Sequence, residues 1–508
     1  MTHPSGAVYR RHTMRGKVFL ACLALSAAAP ALADVDERQP RYRTPSRSVL
    51  AAPYDADYDP AETEVAPSRP RLASPPWRHQ LAELTDAASG FEPGKRLDLR
   101  FSVAYRHTEA RGRVKRELDG AFSGQATRAT YRDLRFERSR DELLLRAELG
   151  LFRDLSVFAE LPIVLYEQSD LSYDGTTAAN STTVRDGLVP VAGYDAIRGG
   201  TPTGGAALFR GARRGAVGGS GADALDTFGF GLRVAPLSQR RDPTKPTWVL
   251  AIEPRLSVGT IRRFDPQAPG ANHGTADGVH RIVFSTAVSR RIGQFEPYVS
   301  VSYLLPLARA GSAYVAYGTS EKLTEPQHQV QGVVGTEIVA YERGRPDAVT
   351  GADWRVAVDL RAHLDAHFRG RGYSDAWELF AGSAGLACDA THTANPSCDP
   401  ATGKNQYQAK PFSGLTVIDG YPTVGVEAAI DARLGRWFRL RAAFAYAREG
   451  AHLITGDSPG VPSMAGGTLV QPSDYNPAYR PVIDQPGRRY LVDDVERFDA
   501  KLLAQTRF

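Results

Sequence analysis

The chain has 508 residues, 42% of them hydrophobic, and its 62 basic and 57 acidic residues leave a formal charge of +5. Charges of both signs are mixed along the whole length, unlike the concentrated basic stripe of a nucleic-acid binder, so nucleic acid is set aside as a partner. Mean hydropathy is -0.32, and beyond the N-terminus no run approaches the ~18 apolar residues of a spanning helix, so any membrane span must be made of strands.

Residues 1–33 read as a signal peptide. Arg10, Arg11, Arg15 and Lys17 form a basic region, Val18 to Ala29 an apolar one, and Ala31-Leu32-Ala33 before Asp34 the cleavage site. Met14 offers a second start with ordinary signal-peptide proportions. A lipid anchor on Cys22 is the alternative, set against by the short apolar stretch before it. Residues 34–94 are rich in Pro, Arg, Ala and Asp without a sustained period, as in Ser68-Arg69-Pro70-Arg71. They are expected to form a disordered periplasmic extension, because they carry too little apolar surface to offset the entropy of ordering them. A short helix within residues 78–88, serving as a small plug or a periplasmic contact, is the alternative.

From residue 95 to 508 apolar and polar residues alternate with period two, which is strand periodicity. In the clearest stretch Trp354, Val356, Val358, Leu360, Ala362, Leu364, Ala366 and Phe368 oppose Arg355, Asp359, Arg361, His363, Asp365, His367 and Arg369. One face suits lipid and the other water. Such segments recur near residues 97–116, 132–151, 155–172, 226–238, 247–261, 279–291, 295–308, 327–342, 353–369, 421–434, 437–452 and 494–508. The fold expected is all-β: a transmembrane antiparallel β-barrel of about twelve strands in the bacterial outer membrane, an even number being the rule there. Short connections such as Phe152-Arg153-Asp154, Ile292-Gly293-Gln294 and Gly435-Arg436 alternate with long ones at 174–223, 370–420 and 455–492, matching short periplasmic turns and long extracellular loops. Trp248, Phe295, Trp354 and Phe438 each follow a short turn and would form one aromatic girdle, with Tyr303, Phe368 and Tyr446 nearer the other rim. The last strand ends in Phe508, which looks like the insertion signal read by barrel-assembly machinery.

The hairpin Leu149-Gly150-Leu151-Phe152-Arg153-Asp154-Leu155-Ser156-Val157-Phe158-Ala159-Glu160-Leu161-Pro162 resembles one common in outer-membrane barrels of the phenol-degradation-pathway transporter type. Leu434-Gly435-Arg436-Trp437-Phe438-Arg439-Leu440 looks like a second of the same style. The resemblance implies a barrel over residues 95–508 and passage of small, often hydrophobic or aromatic compounds.

The inward phase holds the candidate lumen lining: Arg146, Glu148, Glu160, Arg233, Glu253, Arg255, Arg355, Asp359, Arg361, His363, Asp365, His367, Glu427, Arg433, Arg439 and Arg441, with Arg100, Arg106, Glu337, Asp431 and Lys501 in the same phase. Two readings stand: ladders of ion pairs that stiffen a narrow barrel, or a conduit whose slight Arg excess favours anions. His363, Asp365 and His367 share one face and suggest a metal or a proton relay. Their spacing of roughly 7 Å per step is wide for one metal, so a hydrated lumen is the preferred reading. Cys388 and Cys398 survive cleavage as an even pair in an oxidising compartment and are expected to form a disulfide; no zinc spacing accompanies them. No catalytic residue, metal or cofactor is assigned. The outward His107 and His280 and the rim His392 and His452 match no barrel-enzyme motif, and the glycines from Gly199 to Gly205 lack the Lys-Ser/Thr of a phosphate loop. The function expected is passive passage of small solutes, the alternative a closed barrel acting as a surface adhesin or envelope organiser through its loops.

Overall fold

The computed structural model describes residues 82–90, 98–118, 129–175, 181–185, 188, 207–217, 219–263, 273–315, 323–343, 354–382, 398–399, 404–405, 413–435, 437–456, 481–484 and 487–508. All belong to one compact unit, Leu72–Phe508. The expected signal peptide and the expected Cys388–Cys398 bond lie outside the described residues.

Twelve strands form the wall: β1 Asp98–Leu118, β2 Ala129–Phe152, β3 Leu155–Tyr173, β4 Thr227–Leu237, β5 Thr247–Ser257, β6 Val279–Ser289, β7 Phe295–Ala308, β8 Gln329–Arg343, β9 Trp354–His367, β10 Tyr421–Leu434, β11 Phe438–Glu449 and β12 Tyr490–Arg507. Each pairs antiparallel with its neighbours in chain order, and β12 returns to pair with β1 from Arg100↔Arg507 to Arg116↔Tyr490, closing an antiparallel barrel without a free edge. Closure gives every wall strand a hydrogen-bonded neighbour on each side, the condition for a strand-built membrane span.

The alternation legible in the sequence becomes a radial sorting. Trp354, half exposed at 50%, is followed by Arg355 at 0%. Val424, Val426, Ile430, Leu440, Phe444 and Leu502 are exposed outward, whereas Asp431, Arg433, Arg439 and Arg441 on the same strands are buried. Buried charge inside and exposed hydrocarbon outside invert the arrangement of a water-soluble barrel. Trp248, Phe295, Trp354 and Phe438 lie exposed at the first or second residue of their strands, as expected for one girdle.

The strands at the seam differ from the rest. β1 and β2 run for 21 and 24 residues, well past the ~9–11 that cross a membrane. β12 begins at Tyr490, not at residue 494, because its first four residues pair with the extended end of β1. That extension stands at the long-loop end, over a cluster of fully buried apolar side chains that includes Leu134, Phe136, Leu171, Leu379, Phe380 and Tyr490.

Candidate functional site

The lumen contains a stretch of chain that is not part of the wall. Residues 82–90, just before β1, form a 3-10 turn at Glu83–Thr85 and an extended run to Gly90, and most of them are buried. They lie among inward side chains at the short-turn end. This differs from the extension expected there, for a physical reason: the segment gains no core of its own, but the wall supplies partners for its backbone and its two acids. The Ala82 N–H donates to Glu296 (2.8 Å) and the Ala88 N–H to Glu148 (3.1 Å). Thr85 Oγ1 shares a hydrogen bond with Ser289 Oγ (2.7 Å), and the Asp154 N–H donates to Ser89 Oγ (3.0 Å). Glycine decides how closely the segment seats. A Cβ on Gly150 of β2 would stand 2.7 Å from the Gly90 nitrogen and 2.8 Å from Ser89, and one on Gly90 would stand 2.6 Å from the Gly150 carbonyl oxygen. Two backbones meet there because neither carries a side chain.

Charge holds the segment across the lumen. Glu83 meets Arg361 at 3.2 Å and Arg441 at 3.0 Å. Asp86 meets Arg100 at 3.3 Å and Arg433 at 3.5 Å, and also pairs with Arg240 of the β4–β5 turn. Burial alone would push both carboxyls up. The guanidiniums of Arg441, Arg439 and Arg361 around Glu83, and of Arg100, Arg240 and Arg433 around Asp86, outweigh it and hold both well below the usual carboxylate range. Four strands and one turn are therefore tied to a single short segment.

Most inward residues singled out from sequence pair with one another nearby. Arg441 bridges Asp359 (2.8 Å) and Glu427 (2.9 Å), and Arg361 pairs with Asp359 and with Glu427 (3.5 Å). Arg439 holds Asp431 at 2.5 Å and Arg433 stands 3.8 Å from the same carboxylate. Arg355 meets Glu337 at 2.9 Å. Across the lumen Arg146 bridges Glu160 (3.3 Å) and Glu148 (3.6 Å), Arg233 approaches Glu148 at 4.0 Å, and Arg255 meets Glu253 at 2.6 Å. Buried charge of this density is tolerable only when each group finds an opposite partner.

His363, Asp365 and His367 share the inner face of β9 but do not converge. The His363 ring lies over Gly425, where a Cβ would come within 2.3 Å of it. His367 stacks on Tyr421 (4.4 Å between centroids), and Tyr421 stacks on His452 (3.7 Å). His363 Nε2, Asp365 Oδ1 and His367 Nδ1 are buried with no hydrogen-bond partner among the described residues.

Above the segment lies a chamber of about 880 Å³. Leu84 of the segment is at its floor, and Tyr314, Arg371 and Tyr373 from the long loops line it from the other side. Ten Arg and Lys and eight Asp and Glu line it, an excess of two positive charges. Its walls include Glu160, Glu253, Arg255, Arg361, His363, Glu427 and Lys501 from the sequence-derived set, and Arg140 and Glu167. At the long-loop end stands a short helix, α1 Trp377–Gly382. Leu379 and Phe380 are fully buried in the apolar cluster, Phe380 packs edge-on against Tyr490 (5.2 Å), and Glu378 pairs with Arg214 of the β3–β4 connection at 2.5 Å.

Sequence reasoning missed Glu83, Asp86 and Arg240. A signal for them existed: the inward set holds more Arg than acid, so carboxylates had to come from outside the wall, and Glu83 and Asp86 lie just upstream of β1.

No family model matches the chain, and no curated protein matches it. Among solved structures it is similar to the COG4313 outer membrane channel from Pseudomonas putida F1, with 7% identity over 82% of this chain and 100% of that one and a TM-score of 0.35. It is also similar to a TodX monoaromatic hydrocarbon channel mutant (11% identity, 84% and 92% covered, TM-score 0.29) and to the outer membrane protease OmpT from Escherichia coli (9% identity, 81% and 97% covered, TM-score 0.24). Function is argued from the lumen itself.

Proposed function

We propose that the chain is an outer-membrane channel for passive passage of small solutes, with the chamber as its conduit and residues 82–90 as the closure of its periplasmic end. The observation that carries the reading is the chamber: a polar, charged volume of about 880 Å³ inside a closed barrel whose outside is hydrocarbon, bounded below by a segment that belongs to no strand. A segment held mainly by side-chain contacts, with a backbone hydrogen bond from the Gly90 N–H to the Phe152 carbonyl (3.1 Å), can leave without unfolding the wall. On this reading residues 34–81 are the periplasmic lead to that segment, and the short turns face the periplasm. The partners are outer-membrane lipid, small solutes and, through the strand ending in Phe508, the assembly machinery that inserts barrels. Arg361, Glu427, Arg255, Glu253, Glu160 and His363 line the path and set its ion preference, and the role is non-enzymatic. Lys501 faces the chamber without an ion-pair partner among the described residues, and with the excess of positive charge it favours anions.

The test is flux of salts, small sugars and aromatic acids through purified full-length protein and a variant lacking residues 82–90, in liposomes and planar bilayers. Size-limited flux in the variant, at least about tenfold above the full-length protein, is the expected result; tenfold is the effect of roughly 1.4 kcal/mol on the closed state. The packed apolar cap at the other end favours a second reading, a non-conducting barrel that binds through its loops. A folded deletion variant with no conductance would select it.

A further inference from the structure

The outer surface carries a charged patch that the lumen does not explain. Following directly paired outward residues around the wall from Trp248 leads through Val288, Val299, Val334, Ala362, Val426, Tyr446 and Phe498, and then to Glu109 on β1. Strands ~4.8 Å apart, with ladders inclined by ~40°, raise such a path by about 25 Å in eight steps, which is the height of the apolar band of an outer-membrane barrel. Hydrocarbon gives way to charge at Glu109. β1 and β2 continue upward, and the same outward face then carries Arg111, Arg113 and Lys115 on β1 and Arg135 and Arg132 on β2. Arg113 stands directly opposite Arg135, and Lys115 directly opposite Arg132.

Like charges directly opposed on a ladder destabilise it. Acids of this surface answer part of that charge: Glu109 takes Arg111, Asp494 (3.0 Å) and Asp174 (3.4 Å) take Arg113, and Asp493 takes Lys115. Glu137 lies one step lower on β2, between Arg135 and Ser139. Arg132 and Arg135 are exposed and have no ion pair or hydrogen bond among the described residues. Cβ atoms of opposed residues are ~5 Å apart and successive same-face residues ~7 Å apart, so the four cations of the two upper rungs form a patch the size of one or two phosphates. Guanidinium forks match phosphate oxygens two at a time.

We propose that this patch binds the phosphorylated head group of an outer-leaflet lipid, seated where the seam strands leave the hydrocarbon. The proposal rests on the outer-membrane reading above. The bound phosphate supplies the missing counter-charge for Arg132 and Arg135 and fixes the barrel's height at the seam.

Native mass spectrometry of the folded full-length protein, titrated with bisphosphorylated lipid A, tests it. Half-saturation should rise about tenfold in R132Q/R135Q, and by a similar factor when the lipid's phosphates are removed, as the loss of one or two charge-assisted hydrogen bonds requires. Equal binding by wild type and variant overturns the proposal, as does equal binding of the dephosphorylated lipid. Inorganic pyrophosphate that competes mole for mole with the lipid also overturns it, because the patch would then be a site for free phosphate. Insertion into uncharged phosphatidylcholine vesicles separates the two levels. Wild type and variant should insert alike; failure of both to insert overturns the membrane reading and this proposal together, whereas insertion with unchanged lipid A binding overturns this proposal alone.

Discussion

The two ends of the lumen are packed with opposite chemistry among the described residues. At the short-turn end residues 82–90 are held by hydrogen bonds and by Glu83 and Asp86 among five arginines. At the long-loop end α1 and its neighbours are held by buried apolar side chains. Polar latching is directional and can be undone contact by contact, because each lost bond can be replaced by water entering the lumen. Apolar closure is non-directional and must come apart as a cluster. On the proposed channel reading, the difference makes the lower packing the movable one and the upper packing part of the folded body.

The largest effect expected is from breaking the latch. In E83A/D86A the buried guanidiniums of Arg100, Arg433 and Arg441 lose their carboxylate partners on the segment, and removing one side of a buried pair typically costs about 3–5 kcal/mol. Bilayer recordings should show conductance rising to that of the 82–90 deletion; silence in E83A/D86A, with an open deletion variant, would mean that the backbone contacts suffice. Phe380→Ala attacks the other end. It should lower barrel stability by about 3–5 kcal/mol, as for a buried Phe in a packed cluster, and make the 370–420 loop sensitive to external protease while leaving the lower closure shut. Unchanged protease resistance would argue against the apolar cap. Gly150→Ala is narrower, since its methyl collides with the backbone of Ser89 and Gly90 while β2 itself tolerates it. An increase in open time corresponding to about 1–3 kcal/mol is expected, read as single-channel open probability.

The smallest effect within the ordinary working range is that of pH. Both latch carboxyls are held below their free values of about 4, so their contribution to closure is complete above that pH and is lost only as pH falls through the lowered values. Conductance should stay constant from pH 7 to about pH 5 and rise only well below pH 4. Opening near pH 6 would instead mean that a group other than Glu83 and Asp86 controls the closure.

The wall was legible because its alternation is enforced by water on one side and hydrocarbon on the other, over long stretches. β7 and β10 have the boundaries expected from sequence alone, and Arg355, Asp359, Arg441 and their neighbours stand in the expected phase. Both closures escaped the periodicity. Glu83 and Asp86 lie in a short run with no repeat, and their partners Arg361 and Arg433 stand some 278 and 347 residues away in sequence. Leu379 and Phe380 lie in a loop whose composition reads as turn material. His363, Asp365 and His367 alternate along β9 and so share a face, but the stacking of His367 on Tyr421 depends on the pairing of β9 with β10, which no local pattern records.

Gly90 and Asp98 stand at the two ends of the short stretch 91–97, which joins the segment to β1. The fifteen steps from Glu83 to Asp98 reach at most about 54 Å when fully extended, so the released latch stays within that distance of β1. Its local concentration at its own seat is then in the millimolar range typical of short tethers. A solute arriving from outside competes with an occupant that never diffuses away, and the fraction of time the conduit stands open is a property of one chain, independent of how much protein the membrane holds.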